Sequence, residues 1–154
     1  MEIKAWLSAF RLRTLPLALS SIGMGSALAV QYNSFDVVIF TFAVLTTVLL
    51  QILSNLANDY GDFTHGADSK DRVGPTRALQ SGKISAGAMK KGIILFGVLS
   101  FVSGILLLLM SLSVSVELLI MLFIGLIAIA AAVKYTAGKN PYGYSGLGDV
   151  SVFF

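Results

Sequence analysis

The chain has 154 residues, of which 56% are hydrophobic and only 12% are charged, and its formal net charge is +3. Soluble domains carry about 25% charged residues, so this composition argues against a soluble globular fold, and the high hydrophobicity excludes intrinsic disorder. Cysteine is absent and there is a single histidine. Disulfide frameworks, zinc–thiolate sites, iron–sulfur clusters and paired catalytic histidines are therefore excluded.

Four apolar segments are long enough to cross a bilayer core, which takes about 20 helical residues. They cover residues 14–31, 35–57, 92–112 and 118–133. Because backbone polar groups in lipid must be satisfied within the segment, and the alternation typical of barrel strands is absent, we predict helices. The predicted fold class is all-α, a polytopic transmembrane helix bundle with four complete spans. The last six residues resemble the start of a fifth span, so we expect the chain to be an N-terminal part of a longer protein.

The first apolar segment also has features of a secretory signal peptide. It follows a basic start and contains an Ala-Leu-Ala triplet at residues 27–29 that resembles a cleavage site. A long stretch precedes the apolar run, Pro16 stands where a helix start tolerates proline, and three more spans follow. These features favour a retained membrane helix.

All 11 Lys and Arg residues lie on one side of the predicted bundle. They precede the first span, occupy the connection at residues 58–91, or follow the fourth span, whereas the two short turns opposite carry only Asp36 and Glu117. Cytoplasmic loops of membrane proteins are enriched in Lys and Arg. We therefore predict a multi-pass protein of the cell membrane whose N-terminus and 58–91 connection are cytoplasmic.

A polar stripe follows the cytoplasmic half of the second predicted helix. At about 100° per residue, its members fall within about 100° of one another: Gln51, Asn55, Asn58, Asp59 and Asp62. Polar groups at membrane depth usually face a bundle interior or a wet cavity. Asp59 and Asp62 share a helix face at a C-terminus, where the helix dipole disfavours negative charge. A cation bound there would relieve the repulsion.

The donor atoms indicate which cation. Oxygen ligands favour a hard ion, and the calcium-binding EF-hand pattern fails because Lys70 stands where a glutamate is required. Magnesium uses one or two carboxylates and takes its other ligands from water and phosphates. With Lys70, Arg72, Arg77 and Lys83 close in sequence, the pattern favours a Mg²⁺–diphosphate site. The alternative is a solvated connection whose basic residues only set topology, which leaves the Asn and Asp face unexplained.

Three other polar features are less specific. The basic segment at residues 134–139 could bind an anion or could be an ordinary interfacial flank. The glycine-rich residues 142–149 lack the GxxxxGK[ST] pattern of a phosphate-binding loop. We expect His65 to be an exposed loop histidine.

Two motifs make the sequence recognisable. N-x-x-N-D-Y-x-D-x-x-x-G-x-D at residues 55–68 and D-R-V-G-P-x-R-A-x-Q-S-G at residues 71–82 resemble the first aspartate-rich motif of the UbiA superfamily of intramembrane aromatic prenyltransferases. The opening R-L-R-T-L-P at residues 11–16 is also similar. The resemblance is greatest to the branch that prenylates 1,4-dihydroxy-2-naphthoate in menaquinone biosynthesis.

The resemblance implies nine transmembrane helices around a central cavity, built from two similar halves that each contribute an aspartate-rich motif. Residues 1–154 would be the N-terminal half of this domain, with residues 58–91 as the cytoplasmic loop that carries the first motif. The implied reaction transfers a polyprenyl group from polyprenyl diphosphate to 1,4-dihydroxy-2-naphthoate, with loss of diphosphate and CO₂, and gives demethylmenaquinol. Mg²⁺ is the implied cofactor, the lipid bilayer is the surrounding partner, and no nucleic acid is expected. We expect residues 1–154 to hold only half of the metal site and to be inactive on their own.

The site residues follow from the resemblance together with the charge pattern. The expected metal ligands are Asn58, Asp59, Asp62 and Asp68. The expected diphosphate-binding residues are Asn55, Lys70, Arg72, Arg77 and Lys139. The expected catalytic residues are Asp59, Asp62, Arg72, Arg77, Tyr135 and Lys139. In the wider superfamily the third acid comes four residues after the second, whereas here Gly66 occupies that position. This departure favours the naphthoate branch, and it makes the assignment of Asp68 as a ligand weaker than those of Asp59 and Asp62.

Three alternative functions remain open from the sequence. One is a UbiA-type prenyltransferase with a different aromatic acceptor. Another is a cation channel or carrier with an acidic mouth, although broken-helix transporters place their acids near the bilayer midplane rather than at the cytoplasmic end. The last is a structural membrane subunit, which would give the Asn and Asp stripe no role.

Overall fold

The structure is a computed structural model that describes residues 3–66 and 77–147. This part of the chain is all-helical, and four of its segments are long and apolar enough to cross a membrane, so the predicted fold class is confirmed. The first span includes a short helix, a bend and a longer helix. The helices are α1 (Ile3–Phe10), α2 (Leu15–Gln31), α3 (Val37–Thr64), α4 (Ala86–Ser111) and α5 (Val116–Lys134).

The helices on both sides of the 58–91 connection extend further than the apolar runs predicted. Helix α3 continues to Thr64, and α4 already begins at Ala86, where the Ser85 hydroxyl accepts a hydrogen bond from Ala88 N at 3.2 Å. Hydropathy indicates where a helix leaves the lipid. The helix itself can extend further, because polar side chains and caps satisfy its terminal backbone groups outside the lipid. Asp59 and Asp62, the first two aspartates of the motif, therefore lie on α3 as the helical spacing predicted, and not in the 58–91 loop to which the resemblance assigned the motif.

Helix α3 is the centre of the bundle and contacts α1, α2, α4 and α5. Its C-terminal half supplies more of the buried core than any other helix, with Leu53, Leu56 and Ala57 fully enclosed and Met89 of α4 packed beside them. By contrast, α2 and α5 contain no buried residue. The tightly packed region thus lies at the end of the bundle that carries the polar stripe.

A bend between α1 and α2 brings the N-terminal segment against this region. Arg11 has a left-handed backbone (φ 49°), which costs a non-glycine residue about 1 kcal/mol. The bend is held from α3: Asn55 Nδ2 donates to Phe10 O at 2.9 Å, and Gln51 Nε2 donates to Thr14 Oγ1 at 3.2 Å. Two members of the polar stripe therefore fix the position of the residue that follows α1.

Candidate functional site

Asp59 and Asp62 converge on one cation, Arg77. The Nε atom of Arg77 lies 3.5 Å from Asp59 Oδ1, and its Nη1 donates to Asp62 Oδ2. Asp59 is buried, with 2% of its surface exposed, and Asp62 is half-buried. Both carboxylates sit on the last two turns of α3, one helical turn apart. The predicted shared face is thus occupied by charged groups that a single guanidinium can bridge.

Arg11 is a second cation at this site, and the sequence did not reveal its role. Its Nη2 donates to Asp59 Oδ1. The sequence places Arg11 among the basic residues that precede the first span, and no local pattern connects it to an aspartate 48 positions away. Backbone strain outside a turn glycine often marks a functional position. Here the strained bend directs the Arg11 side chain to the buried carboxylate.

Tyr144 is a second partner of Asp62. Its hydroxyl donates to Asp62 Oδ1, and its ring lies 5.4 Å from the ring of His65, centroid to centroid. Tyr144 belongs to a short 3-10 turn, Tyr142–Ser145, in the glycine-rich segment that the sequence excluded as a phosphate-binding loop. His65 is exposed at the end of α3, as predicted.

Thr136 joins the turn after α5 to α3. Its buried hydroxyl lies 2.9 Å from Asn58 Oδ1 and 3.1 Å from Ala57 O. The close approach depends on Gly61, because a Cβ there would lie 2.6 Å from the Thr136 Cβ. Asn58, a predicted metal ligand, therefore receives a hydrogen bond from this threonine and is held in place on the same turn as Asp59.

We expect Thr136→Val to lower the stability of the protein by about 1 kcal/mol. The substitution keeps the shape of the side chain and removes the hydroxyl that serves Asn58 Oδ1, and a lost buried hydrogen bond costs about that much. Thermal unfolding followed by circular dichroism in detergent measures the change. Thr41→Val is the matched control, because Thr41 is exposed and its hydroxyl donates to Val37 O within the same helix. An equal loss in both variants would contradict the assigned role.

The other predicted site residues in the described ranges have surroundings other than the carboxylate pair. Tyr135 packs edge-on against Tyr142 at 5.4 Å, and its carbonyl accepts from Gly143 N at 2.9 Å. Lys139 is exposed and lines a separate groove together with Tyr60 and Lys90. Asn55 supports the bend described above. The roles predicted for these three residues in binding or catalysis stay predictions.

Asp68, Lys70 and Arg72 lie outside the described residues. Within residues 3–66 and 77–147, no three Asp, Glu or His side chains lie close enough together to form a metal site. The donors that are present nevertheless suit Mg²⁺, which needs only one or two protein carboxylates. Asp59 and Asp62 supply those, Asn58 adds an amide oxygen, and the shared contact with Arg77 shows that one cation can reach both acids.

The fold and the site together define a multi-pass membrane protein with a paired acidic and basic cluster at one end of its central helix. The chain belongs to the UbiA prenyltransferase family, whose sequence model matches residues 18–154. The family predicted from the aspartate-rich motif is thereby confirmed.

Among its relatives are three proteins named 1,4-dihydroxy-2-naphthoate octaprenyltransferase. The one from Haemophilus influenzae is 46% identical over 98% of this chain and 50% of its own length. The one from Escherichia coli is also 46% identical, over 97% of the chain and 48% of its own length, and the one from Mycobacterium tuberculosis is 34% identical over 96% and 48%. The chain therefore spans about half the length of these relatives. No solved structure matches it significantly.

Proposed function

We propose that this chain is the N-terminal part of an enzyme that transfers a polyprenyl group to 1,4-dihydroxy-2-naphthoate. The donor is a polyprenyl diphosphate, and the products are demethylmenaquinol, diphosphate and CO₂. The relatives that carry the naphthoate name support the choice of acceptor. The observation that carries the proposal is the convergence of Asp59, Asp62 and Arg77 at the end of an apolar bundle. This arrangement can hold a charged diphosphate head while lipid-like surface surrounds the prenyl tail.

The basic residues have the chemistry to stabilise the departing diphosphate. Arginine presents a planar fork of donors that matches phosphate oxygens, and both Arg11 and Arg77 lie at the carboxylate pair. Asn58, Asp59 and Asp62 would hold Mg²⁺, and Asp68 is expected to join them. When bound, Mg²⁺ supplies positive charge to the diphosphate as negative charge accumulates on it.

Bond breaking and bond making follow from this electrostatic arrangement. The bond between the allylic carbon and the diphosphate oxygen breaks, the electron pair leaves with the diphosphate, and the electron-rich ring attacks the cationic carbon. The ring carbon that is attacked loses its carboxylate as CO₂, which restores aromaticity. An apolar surrounding excludes the water that would otherwise capture the cation.

The charge distribution also supports a location and an orientation. We infer that the protein lies in the cytoplasmic membrane, with its N-terminus and aspartate-rich segment facing the cytoplasm. The carboxylates and Arg77 then lie at the inner leaflet, where a water-soluble diphosphate can leave. The acidic pair is not at the bilayer midplane, which favours this reading over a carrier.

A product assay on the complete enzyme that contains this chain tests the proposal. Reconstituted enzyme is given a polyprenyl diphosphate and either 1,4-dihydroxy-2-naphthoate or 4-hydroxybenzoate. The proposal expects demethylmenaquinol and CO₂ from the first acceptor and no prenylated product from the second. Transfer only to 4-hydroxybenzoate would identify another UbiA-type reaction. Cation flux through liposomes without any prenyl transfer would support the channel alternative.

Diphosphate and Mg²⁺ should bind this site cooperatively. The carboxylates that would hold the metal are neutralised by Arg11 and Arg77, so metal alone must displace two guanidinium groups. A diphosphate offers those arginines new partners and frees the carboxylates. We expect saturating Mg²⁺ to tighten the binding of inorganic diphosphate to the complete enzyme by about tenfold or more, within the usual range of coupling between sites. Isothermal titration calorimetry with and without EDTA measures this ratio.

Two substitutions make the coupling test specific. Asp62→Asn removes one carboxylate from the site and should reduce the ratio towards one. Asp36→Asn is the matched control, because Asp36 caps the opposite end of α3 by accepting from Val38 N and Ile39 N. An equal diphosphate affinity in Mg²⁺ and in EDTA would contradict the proposal that the arginines move from the carboxylates to the diphosphate.

A further inference from the structure

A groove between α1 and α4 lies on the outside of the bundle, separate from the carboxylate site. Its volume is about 450 Å³, and it is lined by Trp6, Phe10, Ala88, Lys91, Gly92, Leu95 and Phe96. Of these lining residues, Lys91 alone is charged. Nothing in the proposed reaction uses this groove, and its outer wall is open, since Leu95 is 55% exposed.

Aromatic packing gives the groove a defined shape. The rings of Trp6 and Phe10 lie 6.0 Å apart, and Phe10 meets Phe96 of α4 edge-on at 5.2 Å. Trp6 rests directly on Gly92, where a Cβ would come within 3.0 Å of the indole ring. The short helix α1 is thus fastened to the beginning of α4, and the groove is the space left beside this contact.

The groove has a charged end and an apolar wall, in the same order as the headgroup and acyl chain of a phospholipid. Lys91 and Leu95 are one helical turn apart on the same face of α4, so the charge lies about 6 Å nearer the helix start than the apolar wall. The side with the groove is the basic side of the protein, and the exposed Lys4 and Lys90 add to its positive charge. Tryptophan and lysine are typical of the membrane interface, where lysine reaches towards the headgroups.

We propose that this groove binds an anionic phospholipid of the inner leaflet. Lys91 contacts the headgroup phosphate, and an acyl chain lies along Phe10, Leu95 and Phe96. Juxtamembrane basic residues are attracted to anionic lipid surfaces, and the groove adds a shaped apolar surface to that attraction. The proposal uses the membrane orientation and does not depend on the reaction that the protein catalyses.

Trp6 makes the proposal directly measurable, because it is the only tryptophan of the 154-residue chain and lines the groove. The complete enzyme that contains this chain, with any tryptophan outside these 154 residues replaced by phenylalanine, is reconstituted into vesicles of phosphatidylcholine. The vesicles contain stepwise increasing fractions of either brominated phosphatidylglycerol or brominated phosphatidylcholine. Bromine quenches indole fluorescence at short range. We expect the anionic lipid to quench Trp6 at about a fivefold lower mole fraction than the neutral lipid. Equal quenching by the two lipids would overturn the proposal.

Variants assign the selectivity to Lys91. Lys91→Gln should remove most of the preference for the anionic lipid, whereas the charge-conserving Lys91→Arg should keep it and shows that the position tolerates change. Lys134→Gln is the matched control, because Lys134 is an exposed lysine at the end of α5 outside the groove. An unchanged preference in Lys91→Gln, or an equal loss in Lys134→Gln, would overturn the proposal. Quenching that falls as protein density rises, with either lipid, would indicate contact with a second copy instead.

Discussion

We expect Asp59→Asn to lower prenyl transfer by the complete enzyme by at least about 100-fold. The substitution preserves size and removes the buried negative charge that Arg11 and Arg77 approach, so a metal would lose one of its two carboxylates. Removing one group that stabilises charge in a transition state costs about 100- to 1000-fold in rate. Initial rates of prenylated product under saturating Mg²⁺ give the measurement.

The structure adds a stability effect to this prediction. Neutralising Asp59 removes the buried carboxylate that Arg11 and Arg77 approach. Removing one partner of a buried ion pair is destabilising, because the other charge is left uncompensated. Asp62→Asn separates the two effects, because Asp62 is half-buried and should lose activity with a smaller fall in melting temperature. Asp36→Asn is the matched substitution at a helix cap and should keep full activity. Retained prenyl transfer in folded Asp59→Asn enzyme would remove Asp59 from the proposed site.

Gly61→Ala should be among the most destabilising single substitutions in the chain. The new Cβ would overlap the backbone carbonyl of Thr136 and lie 2.6 Å from the Thr136 Cβ. Backbone atoms cannot move aside as a flexible side chain can, and overpacking costs about 1–3 kcal/mol or more. The turn after α5 would separate from α3, and the hydrogen bond from Thr136 to Asn58 would be lost. Circular dichroism melts in detergent should show a fall of several degrees or more.

Gly25→Ala is the matched control for this substitution. Gly25 lies in α2, and an added Cβ would meet no atom within 4 Å. Alanine favours a helix over glycine by about 1 kcal/mol, so this variant should be as stable as the parent or more so. If Gly61→Ala melted no lower than Gly25→Ala, the close contact between α3 and Thr136 would be wrong.

The sequence was most informative for the membrane-spanning segments, because lipid leaves the backbone of such a segment only one stable conformation. Apolar segments of about 20 residues must become helices in a bilayer, which fixed the number of spans and the position of α2. Helical periodicity placed Asp59 and Asp62 on one face, and the structure brings both to Arg77. The helix ends around the connection were predicted less well, because hydropathy detects contact with lipid and not the end of backbone hydrogen bonding.

Long-range partners could not be predicted from the chain. Arg11 and Tyr144 reach the carboxylates from positions 48 and 82 residues away from their partners, and Thr136 reaches Asn58 across 78 residues. Local patterns describe neighbours on one helix, whereas these contacts depend on how separate helices and turns pack. The same limit applied to α1, whose short amphipathic segment is too brief to give a periodic signal.

By itself, the sequence determined three properties of this protein. It is an all-helical membrane bundle, its basic residues lie at one end of that bundle, and two aspartates of a UbiA-type motif share a helix face. These properties follow from hydropathy, charge placement and helical spacing, which are local. Only the tertiary structure decided that Arg11 meets Asp59 and that Thr136 meets Asn58, because these contacts depend on a backbone bend at Arg11 and on a close approach at Gly61. Both depend on close packing between segments that are far apart in the chain.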